Sequence, residues 1–262
     1  MNSTRLPEST KRILCAIGWL VLTAGNSSAQ AQWAVVRTDE LAAPEANQAA
    51  AADERFVYAI DSAVIAKYDR ATGVRVALSS GPAKHLNSGF LWKGKLYCAH
   101  SNYPQKPEKS EIMVLDLETM VLSTLKNFGD YRGSLTWVVR EDGDWWCNFA
   151  RYGKDNAQTV LVRLTEDWQE RGTWTYPESV IKDLGQYSIS GGVWREGQVL
   201  VTGHDRRLVY RLKLPKSGNV LELIDVLPLP FPGQGIAVDF TANGIIGIDR
   251  DKRSVIFAEL KW

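Results

Sequence analysis

Three histidines, His85, His100 and His204, are the chain's whole supply of imidazole. Imidazole has the ordinary pKa closest to neutrality, so these residues come first for proton transfer or metal binding. Each is followed by polar neighbours: His85 by Asn87, His100 by Asn102 and Tyr103, His204 by Asp205 and Arg206. Neutral imidazoles suit Mn, Zn or Fe, with a carboxylate or amide completing the shell; Ca is the oxygen-rich variant. His100 and His204 are the expected core ligands of one divalent ion, with His85, Gln234 and Glu45 next. An open coordination position would polarise a substrate carboxylate or activate water. The competing reading is that these histidines only hydrogen-bond loops or substrate, since no His-Glu-x-x-His spacing is present.

Acid–base chemistry needs a group of tuned pKa within reach of the substrate proton. A histidine free of metal (His85, His100 or His204) fits that need, as do Tyr131 and Tyr152. Arg132, Arg151 and Arg250 are forks for an anionic group, and Asn87, Asn102, Tyr103, Asn148, Tyr187 and Gln234 are expected to contact substrate. No Walker loop, dinucleotide fingerprint or EF-hand loop occurs, so no nucleotide cofactor is expected.

Residues so far apart in sequence need a repeat to gather them, and one is present. Apolar runs close on a polar or aromatic residue at Val57–Asp61, Leu96–His100, Trp145–Phe149, Leu200–His204 and Ile245–Asp249. Their spacing, roughly 40 to 55 residues, is that of a propeller blade. Segments rich in small residues precede them: Gln48–Ala52, Ser88–Trp92, Ser134–Val138, Ser190–Trp194 and Gly235–Asp239. Small side chains suit innermost strands crowded around an axis. Tight turns join the two sets, with good hairpin signals at Asp53-Glu54, Lys93-Gly94, Glu141-Asp142-Gly143, Arg195-Glu196-Gly197 and Ala242-Asn243-Gly244. Third and fourth strands follow in four units. The fifth lacks a fourth strand, which Trp33–Arg37 would supply, closing the ring and removing its edges. The expected fold is all-β, a five-bladed β-propeller; a six-bladed ring is the alternative, but the chain is short for it. Ala49–Ala52 favours helix by propensity, yet its place in the repeat makes it an inner strand.

All three histidines then fall on one face, with the longer loops. His100 and His204 share one column of the repeat, His85 shares one with Glu45, and Asn87 shares one with Asn47 and Gln234. The opposite face, with turns such as Arg140-Glu141-Asp142, reads as solvated surface. Asp69-Arg-Ala-Thr-Gly73 and Asp116-Leu-Glu-Thr119 read as structural turns between third and fourth strands.

Arg5, Lys11 and Arg12 precede an apolar segment, Ile13–Ala24, and an Ala-x-Ala site at Ala29–Ala31. This is a secretory signal over residues 1–31, leaving residues 32–262 as one domain, periplasmic or secreted. Cys98 and Cys147 remain after cleavage and are expected as buried thiols. With 262 residues and a formal net charge of +1, nothing favours nucleic acid or an anionic membrane. The expected partner of a monomer is a small-molecule substrate.

The units Ala66–Gly73 and Met113–Thr119, with His85-x-Asn87-Ser-Gly89 and Ala99-His-Ser-Asn-Tyr103, resemble exported bacterial propellers of the lyase and cycloisomerase-like kind. Metal-dependent propeller lyases, such as oligogalacturonate lyase, hold their metal with several histidines and a glutamine, and His85, His100, His204 and Gln234 are similar in type. The resemblance implies a lyase or cycloisomerase acting on an anionic or sugar-derived molecule. A glycosidase- or lactonase-like hydrolase and a non-catalytic carbohydrate-binding propeller are the alternatives.

Overall fold

In the computed structural model, the described residues run from 34 to 261. The expected signal segment, the start near Gln32, and Trp33 of the closing strand lie outside them. The first strand, β1 (Ala34–Ala42), is set aside for the last blade. Blade one is β2 (Ala49–Ala52), β3 (Phe56–Ile60), β4 (Ile65–Asp69) and β5 (Arg75–Leu78). Blade two is β6 (His85–Trp92), β7 (Lys95–Ser101), β8 (Ser110–Asp116) and β9 (Leu122–Gly129). Blade three is β10 (Ser134–Glu141), β11 (Asp144–Ala150), β12 (Val160–Leu164) and β13 (Glu170–Thr175). Blade four is β14 (Gly191–Arg195), β15 (Gln198–Thr202), β16 (Leu208–Lys213) and β17 (Glu222–Pro228). Blade five is β18 (Ala237–Asp239), β19 (Gly244–Asp249), β20 (Ser254–Lys261) and then β1.

Within each sheet, neighbouring strands pair in an antiparallel sense. First strands touch in sequence, β2 to β6, β6 to β10, β10 to β14 and β14 to β18, and β18 returns to β2. The fold is therefore a five-bladed β-propeller. Strand β1 pairs with β20 from Ala34 opposite Lys261 to Ala42 opposite Ser254. The two ends of the described chain thus complete one sheet, and each covers an edge the other would expose.

The inner strands follow from crowding. Ala49, Ala50, Ala51 and Ala52 are all buried in β2, where tertiary packing overrides helix propensity. At Gly192 of β14, a Cβ would be driven into the ring of Trp137 from β10; its absence lets two blades close together. The hairpins at Lys93-Gly94, Asp142-Gly143 and Glu196-Gly197 have positive φ at both central residues, between 48° and 80°. That is the requirement of the type I′ turn, whose twist matches its strands. Asp69 Oδ1 accepts from the backbone of Thr72 (2.9 Å) and from its hydroxyl (2.9 Å). Asp116 does the same with Thr119 at 2.8 and 2.9 Å. These turns are structural, as their pattern implied.

Two short segments break the all-strand pattern. A short helix, α1 (Glu178–Leu184), links blades three and four and buries Val180 and Leu184 against the cluster containing Trp137, Trp146 and Tyr176. A 3₁₀ turn at Gly153–Gln158 follows blade three's second strand. Asn156 in that turn donates to the carbonyls of Gly185 (3.3 Å) and Tyr187. The two loops carrying Tyr152 and Tyr187 are thereby tied together. Cys98 and Cys147 are buried and unpaired.

Candidate axial site

A cavity of about 160 Å³ opens on the axis at the face of the longer loops. Tyr103, Tyr152, His204 and Arg250 reach it from loops between second and third strands. Gln48, Tyr187, Ser188, Ser190 and Gln234 reach it from links into first strands. His85, Asn87 and Thr136 stand on β6 and β10 themselves. None of these twelve lining residues is a carboxylate. Among them Arg250 carries the permanent positive charge.

Arg250 is anchored by its Nε, which donates to the Asn47 carbonyl at 2.8 Å. Its Nη1 lies 3.4 Å from His204 Nε2. Guanidinium has donors only, so Nε2 must be the acceptor. The proton of neutral His204 then sits on Nδ1, which donates to Asp205 Oδ1. The ring stacks on Tyr187, with centroids 3.9 Å apart and planes at 9°. His204 is thus held in the tautomer with its lone pair towards the cavity. Burial pulls Arg250 below its ordinary value, but a guanidinium stays charged at neutral pH.

His85 packs its ring against Tyr103 at 5.5 Å, and Tyr103 packs against Tyr152 at 4.9 Å. Burial first, then the neighbouring charges of His100 and Arg250, holds the His85 imidazole below its ordinary value of 6.5. It is neutral at physiological pH. Burial also pushes the Tyr152 phenol well above its ordinary range, so Tyr152 serves here as a neutral hydrogen-bonding group rather than a base.

The amides are oriented by their own donors. Asn87 Nδ2 donates to the Leu135 carbonyl at 2.8 Å, and Gln234 Nε2 donates to the His204 carbonyl at 2.9 Å. Gln48 Nε2 donates to Ser62 Oγ at 3.0 Å. Their carbonyl oxygens remain for a ligand. Gln234 has φ +91°, outside the left-handed turn values near +50°. Its backbone is pinned by donation to Gly203 O (2.8 Å) and acceptance from Thr202 Oγ1 (2.6 Å). Strain of this kind persists where surrounding structure over-determines it, often at binding sites.

Of the expected site residues, His85, His204, Asn87, Tyr103, Tyr152, Tyr187, Gln234 and Arg250 meet in this pocket. Asn148 lies one layer beneath. Fully buried, it donates to Thr136 Oγ1 at 2.8 Å and accepts from Tyr176 Oη at 2.7 Å.

The other expected residues are not brought to it. His100 has both nitrogens engaged, Nδ1 with Glu111 at 3.1 Å and Nε2 accepting from the Lys84 N–H at 3.0 Å. It points off the axis because it does not share the column of His204. Tyr131 donates to Glu170 at 2.7 Å, and Arg132 bonds both oxygens of the same carboxylate at 3.0 Å; the pair caps the outside of blade three. Arg151 is consumed by an ion pair with Glu108. Asn102 closes its own loop, to Pro107 O (3.0 Å) and from Lys109 N–H (2.7 Å). Glu45 is held by Tyr68 and Arg75. Burial acts to raise its pKa, but those bonds outweigh it and hold the carboxyl below its ordinary value.

The expected metal shell therefore does not assemble. Among the described residues, no group of three or more His, Cys, Asp or Glu side chains is placed to hold an ion. Of the five expected ligands, His85, His204 and Gln234 line the cavity and His100 and Glu45 do not. A cation at His204 Nε2 would also face the Arg250 guanidinium at close range, which repels it. Thr136, Ser188 and Ser190 are pocket residues that sequence reasoning passed over. Hydroxyls carry too little signal unless the alternation of β10 and the start of β14 are known to the residue.

No protein-family model matches the chain, and no curated protein sequence matches it. Among solved structures it is similar to Myxococcus xanthus glutaminyl cyclase, with TM-score 0.60 and 10% identity over 87% of this chain and 96% of that one. A chain of a mitotic checkpoint complex aligns at TM-score 0.48 and 9% identity, over 95% and 98% of the two chains. A Myceliophteria thermophila β-propeller domain aligns at TM-score 0.45 and 9% identity, over 84% and 99%. At such identities the likeness is one of fold.

Proposed function

We propose that the axial pocket performs proton transfer on a small anionic molecule, in a reaction of the lyase, cyclising or isomerising class. The observation that carries this reading is the pairing of Arg250 with an oriented His204 in a cavity whose lining has no carboxylate. A substrate carboxylate or developing enolate pairs with Arg250, and the lining offers no acid to compete with it. When the substrate anion takes over the Arg250 donor and neutralises its charge, His204 Nε2 is free to take a proton from the substrate, and Asp205 at Nδ1 stabilises the imidazolium that forms. In an elimination, the electron pair of the broken C–H bond forms the new double bond. The leaving oxygen then receives the proton from His204. In an isomerisation or ring closure, His204 returns the proton elsewhere on the same molecule. No second substrate is consumed. The neutral amide oxygens of Asn87, Gln48 and Gln234 accept from hydroxyl or amide donors of the ligand.

The glutaminyl cyclase neighbour is, by name, a ring-closing enzyme, which is compatible with this class but carries no substrate across at 10% identity. A glycosidase mechanism needs paired carboxylates. Asp61 and Asp249 do not provide them. Asp61 accepts from the Ser62 backbone and faces Arg253, while Asp249 pairs with Arg207 at 3.2 Å. The donor arrangement also supports a metal-free reading of the site. We further propose an exported monomer, freed of residues 1–31.

The test is turnover of a panel of muconate-like acids, uronides, hydroxy acids and lactones, by wild type, His204→Gln and Arg250→Gln. The reading expects activity on acids, lost by about 10²-fold or more in His204→Gln, the usual range for a general base. Activity confined to neutral lactones would replace it with a hydrolase. Binding of sugars without turnover would replace it with a carbohydrate-binding propeller.

A further inference from the structure

The face expected to be plain solvated surface holds the larger of the two axial cavities. It measures about 490 Å³ and shares no lining residue with the pocket above. That volume lies within the range of drug-sized ligand sites. Its floor is apolar, made by Ala51, Val139, Val193 and Ala237 near the ends of four first strands. Phe90, Trp92, Trp194 and Phe240 add aromatic walls. Phe240, at the fifth-blade hairpin, is 80% exposed. It also lines an adjoining cavity of about 270 Å³ that shares Ala52, Leu91 and Trp92 as well.

Among its lining residues, the fully buried polar atoms left without a partner are donors. Arg140 Nε and Nη1, and Trp194 Nε1, are buried without a partner. The Arg140 guanidinium lies 4.9 Å from the Trp92 ring centroid and 4.7 Å from that of Trp145. These rings hold it by cation–π attraction, and no carboxylate pairs with it among the described residues. Glu141 lines the same cavity, its carboxyl raised above the ordinary range by burial and by the charge of Asp142; the remaining charges are spoken for or lie at the rim. Asp239 pairs with Arg70 at 2.6 Å, Arg195 bonds Asn243 and Gly244, and Glu196 is exposed on its hairpin. Arg140 is half-buried, with Nε and Nη1 out of water and without acceptors; an anion at its remaining nitrogen offsets part of that cost.

We propose that this end of the axis is a second ligand site, for a flat aromatic carboxylate whose ring lies on the apolar floor and whose carboxylate bonds Arg140. A polyol fits less well. Its hydroxyl donors would meet an alanine and valine floor, and unpaired donors are strongly rejected. The site is independent of the chemistry assigned to the His204 pocket.

Isothermal titration of the full chain with 2-naphthoate, and with its neutral isostere 2-naphthamide, tests this. The carboxylate is expected to bind at least tenfold more tightly, and Arg140→Gln to abolish the difference. Phe240→Ala, at an exposed position that folding does not need, is expected to weaken 2-naphthoate severalfold. It keeps the test decisive if the Arg140 variant fails to fold. His204→Gln should leave 2-naphthoate binding unchanged. Equal binding of acid and amide, no binding of either at millimolar concentration, preferential binding of cellobiose, or loss of binding in His204→Gln would each overturn the proposal. Failure here leaves the His204 reading intact, because that reading is judged by turnover alone.

Discussion

Replacing Tyr176 with Phe probes what holds the floor of the axial pocket. Tyr176 is buried, and its hydroxyl donates to Asn148 Oδ1 at 2.7 Å. Asn148, with no exposed surface, passes the constraint on, donating to Thr136 Oγ1 at 2.8 Å. Thr136 Oγ1 in turn donates to the Ile189 carbonyl at 2.8 Å and lines the pocket. Phe keeps the ring and its packing, so the change removes one hydroxyl and leaves Asn148 Oδ1 buried and unpaired. An orphaned buried acceptor costs about 1–3 kcal/mol. For a domain of this size each kcal/mol moves the thermal midpoint by about 2–4 °C, giving a fall of about 2–12 °C. Equilibrium urea unfolding, followed by tryptophan fluorescence, measures the free energy directly. Asn148→Leu alone is expected to destabilise as well, since it strands the Tyr176 hydroxyl. The double variant Tyr176→Phe, Asn148→Leu removes both ends of the bond together. It should cost less than the sum of the two by about 0.5–3 kcal/mol, the range for residues in one network. Additivity within about 0.3 kcal/mol, or a neutral Tyr176→Phe, would refute the network as the support of the pocket floor.

Three further outcomes are expected. Burial, with the nearby His100 and Arg250, holds His85 below its ordinary 6.5, so the unfolded chain binds the proton first as pH falls. Stability is full above about pH 6.5 and declines below it, while Glu45 and Asp239, themselves held low, titrate further down. A His85 ring titration by NMR with a midpoint above 6.5 would contradict this. At Gly191 a Cβ would strike the Gln234 carbonyl and crowd the Ile236 N–H. Gly191→Ala should therefore cost about 1–3 kcal/mol, the usual cost of overpacking, and weaken any ligand of the axial pocket; an unchanged urea midpoint argues against the packing described. Dialysis against EDTA should shift the thermal midpoint by less than about 1 °C, because ligand-dependent stabilisation requires a bound ligand to remove; a larger fall, restored by Zn or Mn, would reinstate a metal centre.

The fold was legible because its signals repeat. A hairpin such as Lys93-Gly94 is weak alone, but three turns with positive φ at both central residues, each between a small-residue strand and an apolar strand, specify one architecture. The closing strand was legible for a topological reason: a fifth sheet left one strand short must be completed, and β1 was available. The helix Glu178–Leu184 was not legible. Its seven residues bury only Val180 and Leu184, too few for a helical period to stand out from a loop. Yet this link, tied to the 3₁₀ turn through Asn156, is what delivers Tyr187 to His204.

The site was legible by residue type and misplaced by parity. Side chains alternate across a strand, so a one-residue error in register moves a residue to the other face. His100 and His204 both close an apolar run, which suggested one column. Counted from the hairpins, they differ. Lys95 pairs with Trp92 and Gln198 with Arg195, so these two residues open their second strands. His100 lies five positions on from Lys95, His204 six on from Gln198. The residue matching His204 in blade two is Ser101. In blade five, where Gly244 opens the second strand opposite Asp239, the matching position is Arg250. The column that reaches the axis therefore holds His204 and Arg250, the two residues found 3.4 Å apart. Adjacent blades deliver an acceptor and a cation from equivalent positions, and neither needs a metal to complete it. His100, on the other parity, is turned to Glu111 and Lys84, where it fastens the link into blade two. A register taken from the turns rather than from the ends of the apolar runs separates these roles, because the turns are the fixed points of each blade and the strand ends are not.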